Sequence, residues 1–227
     1  MISMIVFDMA GTTINEDNVV YKTLQRAINE KGYHFSLDQV LAQGAGKEKG
    51  EAIKSILGLN RQVSDQSLAS EIYQHFIVYL ASAYENLPVL PQPGSVELFR
   101  ILKRRDIRIV LNTGYNTETA LLLLSKLGWK KGVEFDDLIT SSDVKNNRPD
   151  PEMIKRAMGN SGIQNSQEVV KVGDSIIDIE EGQNAGCGMS IGITTGAHSF
   201  QQLRSANPDH IINNLLELIP IIDKVNN

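Results

Sequence analysis

The chain has 227 residues, 41% of them hydrophobic, and 22 basic against 27 acidic side chains give a formal charge of −5. At about 100–200 residues per domain, that length suits one large domain or a core carrying a small insertion, and the apolar content excludes wholesale disorder. The acidic balance excludes a general binder of nucleic acid or anionic membrane, which needs a basic face.

The start, Met1-Ile2-Ser3-Met4-Ile5-Val6-Phe7-Asp8, lacks a basic flank and meets Asp8 too early for a signal peptide. Ser3–Asp8 reads as a buried strand ending in Asp8, followed by a polar turn through Gly11-Thr12-Thr13. From 17 to 87 the spacing is helical. Val20, Leu24, Ala27 and Ile28 share one face, and Gly32 follows as a stop. Ser36 and Gln39 form a capping box for a helix over 37–43. A third helix over 47–57 ends at Gly58, and Ile72, Phe76, Tyr79 and Ala83 mark a fourth. Pro88, Pro91 and Pro93 then punctuate the chain.

Beyond them, short apolar runs at 107–112, 137–140, 169–173 and 189–193 alternate with helical patterns at 94–105, 117–127, 151–160 and 176–185. Such alternation predicts an α/β protein built of βαβ units around a parallel sheet. Its Rossmann-like core comprises 1–16 and 88–227, and 17–87 form an inserted α-helical subdomain above the strand ends, where open α/β sheets bind ligands. Cys187, the one cysteine, lies between Gly186 and Gly188 and reads as an inert buried thiol. With no internal disulfide, and no apolar run near the roughly 18 residues of a membrane span, a cytoplasmic protein is expected.

Four short signals fall at the predicted carboxyl ends of successive strands. Asp8 ends the first, Thr113-Gly114-Tyr115 follows the second, and Arg148-Pro149 follows the third. Asp174 ends the fourth, with Asp178 one turn into the next helix. Singly, each has an ordinary reading as a turn, a helix cap or a solvated charge. Their order along one edge points to phosphoryl transfer. An unprotonated carboxylate on a strand end can attack phosphorus and pass through an aspartyl-phosphate. A hard cation such as Mg²⁺, held by Asp8 and Asp174, would neutralise the meeting anions. Thr113, the Gly114 amide and Arg148 offer hydrogen bonds to phosphoryl oxygens, and the Gly11-Thr12 turn lets backbone approach the substrate closely.

These residues resemble, over essentially the whole chain, the haloacid dehalogenase (HAD) superfamily of phosphohydrolases, and within it the phosphonoacetaldehyde hydrolase (phosphonatase) branch. The resemblance is carried by Asp8-Met9-Ala10-Gly11-Thr12-Thr13, Thr113-Gly114-Tyr115, Asp143-Val144 with Arg148-Pro149, and Val172-Gly173-Asp174 with Asp178. It implies that Asp8 is the nucleophile and that Asp8, the Ala10 carbonyl and Asp174 bind Mg²⁺, Asp178 acting through water or a bond to a ligand. It implies further that Thr113 binds the phosphoryl group, that Arg148 stands where most relatives carry Lys, and that a helical cap closes over the core.

Two departures bear on the reaction. Most phosphatases of the superfamily carry a second Asp two residues after the nucleophile, as general acid. Here that position is Ala10, and a missing acid–base group costs about 10²–10⁴-fold. Phosphonatases share the Ala, because a cap lysine activates their leaving carbon through a Schiff base. Their cap segment has Met-Gly followed three residues later by that Lys, then a His. Aligned on Gly50, the lysine position is Ile53, and Lys54 lies about 100° further round a helix. Lys47, Lys49 and Lys54 then read as surface charges, although Gly44-Ala45-Gly46-Lys47 is a flexible, basic loop suited to touching a bound anion, with Lys47 and Lys49 as the candidate contacts. Tyr115 either touches the substrate or packs. His34, His75, His198 and His210 show no metal-ligand spacing.

The expected protein is a Mg²⁺-dependent hydrolase of a small phosphorylated metabolite, a monomer or homodimer with no nucleic-acid or membrane partner. The alternatives are phosphonoacetaldehyde hydrolysis with a relocated cap lysine, halide displacement from a haloacid, and a non-catalytic phospholigand-binding protein.

Overall fold

The computed structural model describes residues 1–60 and 66–226. The core opens with β1 (Met4–Asp8) and β2 (Ile14–Asn15), and four helices follow: α1 (Val19–Asn29), α2 (Leu37–Gly44), α3 (Lys49–Leu57) and α4 (Gln66–Asn86). The chain returns through β3 (Leu90–Pro91), α5 (Ser95–Arg104), β4 (Arg108–Thr113), α6 (Thr117–Leu127) and β5 (Asp137–Thr140). It continues through α7 (Glu152–Ser161), β6 (Val169–Gly173), α8 (Ile176–Asn184) and β7 (Met189–Ile193). It closes with α9 (Phe200–Ser205), β8 (His210–Ile212) and α10 (Leu218–Asn226).

Six strands form one parallel sheet in the order β5-β4-β1-β6-β7-β8. Every residue of central β1 is buried, because a parallel strand between two helical layers has no solvent face. Its side chains alternate, with Ile5 and Phe7 entering one apolar cluster and Met4 and Val6 the other. The register sets Asp8 opposite Asn112 of β4 and Phe7 opposite Val172 of β6, so the carboxyl ends of three neighbouring strands finish together. That alignment assembles the site.

Of the apolar faces read from sequence, Val20, Leu24, Ala27, Ile28, Ile72 and Phe76 are buried, and Tyr79 and Ala83 are partly buried against the same core. The Ser36–Gln39 capping box is formed in both directions at the start of α2. Helix α3 begins at Lys49, two residues later than the pattern suggests, because the Glu48 carboxylate accepts from the amides of Gly50 and Glu51 and makes residue 48 the cap. Among the described residues of 17–87 there is no strand. Two-residue β2 and β3 pair antiparallel and tie the outgoing link to the returning one. They and the three-residue edge strand β8 are too short to leave a period in the sequence. Among the described residues no helix is long and apolar enough to cross a membrane.

Candidate active site

Strand β1 delivers Asp8 to the rim, β6 leads directly into Asp174, and the first turn of α8 presents Asp178. One oxygen from each of these three buried carboxylates lies within 4.8 Å of the other two. Gly11 makes the approach feasible. It holds φ at +88°, which favours glycine, and a Cβ there or on Gly196 would collide with the Asp174 carboxylate. Asp174 accepts from the Ala197 amide at 2.6 Å and from the Thr12 hydroxyl at 3.5 Å. Burial first, then the charges of Asp8 and Asp178, push its carboxyl well above the usual range. Asp8 is raised too, by burial and then by Asp178, against the pull of Arg148 and Lys171.

Two cations stand inside this acid cluster. Arg148 Nη1 lies 2.7 Å from Asp8 Oδ1 and 2.9 Å from Asp178 Oδ1, Nη2 donates to Asn112 Oδ1 at 2.6 Å, and Nε is 3.1 Å from Glu181 Oε2. Lys171, from the middle of β6, reaches Asn112 Oδ1 at 2.6 Å, Asp178 Oδ1 at 3.0 Å and Glu181 Oε2 at 3.1 Å. The Asn112 amide donates to Glu181 Oε1 at 2.9 Å. Burial works to raise Asp178, but Arg148 and Lys171 outweigh it and hold that carboxyl below its ordinary value. One Asp178 oxygen pairs with both cations, and the other accepts from the Ser175 amide and hydroxyl.

The charge count is unbalanced. Asp8, Asp174, Asp178 and Glu181 set four carboxylates against Arg148 and Lys171. Converging hard oxygen donors with too little positive charge among them fit a divalent cation of the Mg²⁺ kind.

Asp8, Ala10, Asp174, Thr113, Gly114, Tyr115 and Arg148 all line one cavity of about 10 Å³, room for about one water molecule. Its remaining walls come from Tyr21, Gly46 and Lys49 of the helical insertion. The loop between α2 and α3 lies directly over the turn after β4, since a Cβ on Gly114 would sit 2.8 Å from the Lys47 carbonyl. The Thr113 hydroxyl accepts from the Tyr115 amide at 3.2 Å.

Lys49 corrects its reading as a surface charge. It is 6% exposed, its Nζ lies 5.2 Å from the ring centroids of both Tyr21 and Tyr115, and it donates to the Lys47 carbonyl at 2.9 Å. Burial brings this amine down to about 8, against the opposing charges of Asp8 and Glu48. Lys47, expected at the substrate, instead turns its amine to Ser55 Oγ at 2.9 Å. Lys54 is exposed and pairs with Glu51, and Ile53 is wholly buried in the core. Lys49 stands three residues after Gly46, as Ile53 stands three after Gly50.

Gly11 and Thr12 lie behind Asp174 rather than on the cavity wall. Sequence reasoning missed Asn112, Lys171 and Glu181. The signal was a lysine at the centre of an otherwise apolar strand, a position where a charge survives only if paired. Cys187 is half-buried, and burial pushes its thiol up to about 12. His198 is buried and accepts from the Ile176 amide at 3.0 Å, a structural contact at the start of α8.

A family model described as haloacid dehalogenase-like hydrolase matches residues 5–192. The chain is 27% identical to a phosphonoacetaldehyde hydrolase of Latilactobacillus sakei subsp. sakei, covering 98% of this chain and 96% of the relative. It is 26% identical to a Dickeya dadantii protein named "Probable phosphatase IndB", covering 95% and 91% of the two chains. Among solved structures, a phosphonoacetaldehyde hydrolase like protein from Oleispira antarctica superposes with a TM-score of 0.85 at 22% identity, over 99% of this chain and 92% of that one.

Proposed function

From the premise that this chain belongs to the haloacid dehalogenase-like hydrolase family, we propose that it is a Mg²⁺-dependent hydrolase that takes the phosphoryl group of a small phosphorylated metabolite onto Asp8. The observation carrying this reading is the convergence of Asp8, Asp174 and Asp178 within 4.8 Å, with Arg148 on the Asp8 carboxylate.

Asp8 attacks phosphorus; a bond from its carboxylate oxygen to phosphorus forms as the bond to the leaving group breaks, and the electron pair departs with that group. Arg148 holds the carboxylate in place and offsets the charge that builds on the transferring group. The Thr113 hydroxyl and the Gly114 amide bind the phosphoryl oxygens. Water then attacks the aspartyl-phosphate, releasing phosphate and restoring Asp8. Asp8, Asp174 and the Ala10 carbonyl are the residues that would hold Mg²⁺, which supplies neutralisation of the two approaching anions. Residues 17–87 act as the cap, with Tyr21, Gly46 and Lys49 closing over the cavity at Asp8.

Ala10 supplies no proton, so favoured substrates have a stabilised leaving group. Lys49 favours a second reading on the same core chemistry. A buried amine brought down to about 8 suits imine formation with the carbonyl of phosphonoacetaldehyde, and the protonated imine would be the electron sink for the pair left on the leaving carbon as the C–P bond breaks. The test is phosphate release from a panel of phosphomonoesters and phosphonoacetaldehyde, with Mg²⁺ or chelator, for wild type and Asp8→Asn. Release that needs Mg²⁺ and Asp8 supports the hydrolase; chelator-resistant release, or release that survives Asp8→Asn, refutes it. Borohydride inactivation only in the presence of phosphonoacetaldehyde selects the second reading.

A further inference from the structure

Glu16 stands on the link between β2 and α1, 3% exposed and away from the carboxylates described above. Its Oε2 accepts from the Val20 amide at 3.0 Å and from the Tyr84 hydroxyl at 3.0 Å. The Tyr84 oxygen is in turn 2.9 Å from the Tyr115 hydroxyl. In the alkaline range, where Glu16 is ionised, its carboxylate only accepts, so Tyr84 spends its proton on Glu16 and Tyr115 donates to Tyr84. The three side chains thus join the outgoing link of the helical insertion, its last helix α4, and the turn after β4.

Tyr115 is fixed on its other side by the core, its carbonyl accepting from the Ser141 amide at 3.0 Å and from the Ser141 hydroxyl at 2.9 Å. Its ring forms one wall of the slot around Lys49, and the Tyr21 ring forms another. Among the described residues no carboxylate lies within 4.0 Å of the Lys49 amine. The amine is held by its walls rather than by a counter-ion.

We propose that Glu16 is a positioning residue for Lys49: through Tyr84 it fixes the Tyr115 ring, and that ring keeps the amine in a dry slot facing the cavity above Asp8. The inference rests on the reading of Lys49 as a substrate-facing group. Charges felt by Lys49 are those of Asp8 from β1, Glu48 from its own helix cap, Arg148 from the loop before α7, and Glu16. Glu16 in turn faces Tyr84 and Lys49. Burial is the largest of the influences on Lys49 and the Glu16 charge the smallest. Losing the hydrogen bond, which lets water into the slot, therefore outweighs losing the charge.

The experiment is competitive labelling of the full chain by acetic anhydride across the alkaline range, in saturating Mg²⁺, with Lys49 followed by peptide mass spectrometry. Wild type, Glu16→Ala, Glu16→Gln and Tyr84→Phe are compared. The expected midpoint for Lys49 rises by about one pH unit in Glu16→Ala and Tyr84→Phe, about a tenfold loss of neutral amine at a given pH below it. Glu16→Gln keeps an acceptor for Tyr84 and stays close to wild type. An unmoved midpoint in Tyr84→Phe overturns the proposal, as does a shift in Tyr84→Phe that Glu16→Ala lacks, or a Glu16→Gln shift as large as that of Glu16→Ala. Should Glu16→Ala fail to fold, Tyr84→Phe severs the same bond from the other side and decides alone. Phosphate release from acetyl phosphate, wild type against Asp8→Asn, tests the hydrolase reading separately; its absence beside the expected shift overturns that reading and leaves the positioning result standing.

Discussion

Arg148 Nη1 lies 2.7 Å from Asp8 Oδ1, with 1% and 8% of the two side chains exposed. The same guanidinium also meets Asp178, Glu181 and Asn112, a planar fork of donors that an ammonium does not reproduce. Removing it strands carboxylates in the interior with Lys171 alone to offset them. Arg148→Ala should therefore destabilise the protein by about 3–5 kcal/mol, which for a chain of this size lowers Tm by roughly 6–20 °C. Arg148→Lys keeps the charge and should lose less stability while still losing about 10²-fold in phosphate release. Thermal melts and phosphate assays on the two variants check both halves.

Asp174 is the acid left without a cation. It has no ion pair among the described residues, and burial with two neighbouring carboxylates makes its ionised form costly. Asp174→Asn should raise Tm in chelator by several degrees, about 1–2 kcal/mol, and abolish the further rise expected of wild type in Mg²⁺. Melting both proteins with chelator and with Mg²⁺ measures this. A variant that still gained stability from Mg²⁺ would remove Asp174 from the metal site.

Glu16 links stability to pH. Burial raises its carboxyl from 4.5 to about 7, so the folded state binds a proton that the unfolded state releases between those values. Stability from this group is fully present below about 4.5 and is lost as pH rises through about 7. Glu16→Gln removes the cost of the buried charge. It should be more stable than wild type at pH 8, by up to about 3 kcal/mol, and match it near pH 4.5. Denaturant unfolding of both proteins at the two pH values reads the difference, and a constant offset would contradict it.

Much of this was legible beforehand, and the reasons differ by element. Strands such as β1 and β4 carry short, mostly apolar runs that end in polar turns, and α6 has an Asn cap before it and a glycine after it, so their periods and ends lie in the sequence itself. The edge that gathers Asp8, Thr113, Asp174 and Asp178 followed from counting to the end of each strand. What escaped was whatever depends on pairing across the sheet. Lys171 is a single charge inside an apolar strand, and its partners Glu181 and Asn112 come from other elements of the fold. Lys49 and Lys47 are two residues apart on one basic loop, and only the start of α3 at Lys49 turns one amine inward and the other toward Ser55.

Gly114 offers a steric test of how the helical insertion meets the core. A Cβ there would press on the carbonyl oxygens of Lys47 and Gly46, at 2.8 and 3.0 Å. Gly114→Ala should lower kcat/KM by about tenfold or more, about 1.4 kcal/mol of lost transition-state stabilisation, while Tm shifts by only a few degrees. Equal losses of activity and of folded protein would show instead that the turn is merely structural.

The covalent step proposed on Asp8 is open to direct observation. Acid quenching during turnover with Mg²⁺ and a hydrolysed substrate, followed by peptide mass spectrometry, should find a phosphoryl group on the peptide containing Asp8 and none in Asp8→Asn. Phosphate release with the phosphoryl group on another residue, or with none on the protein at any time, would contradict the account.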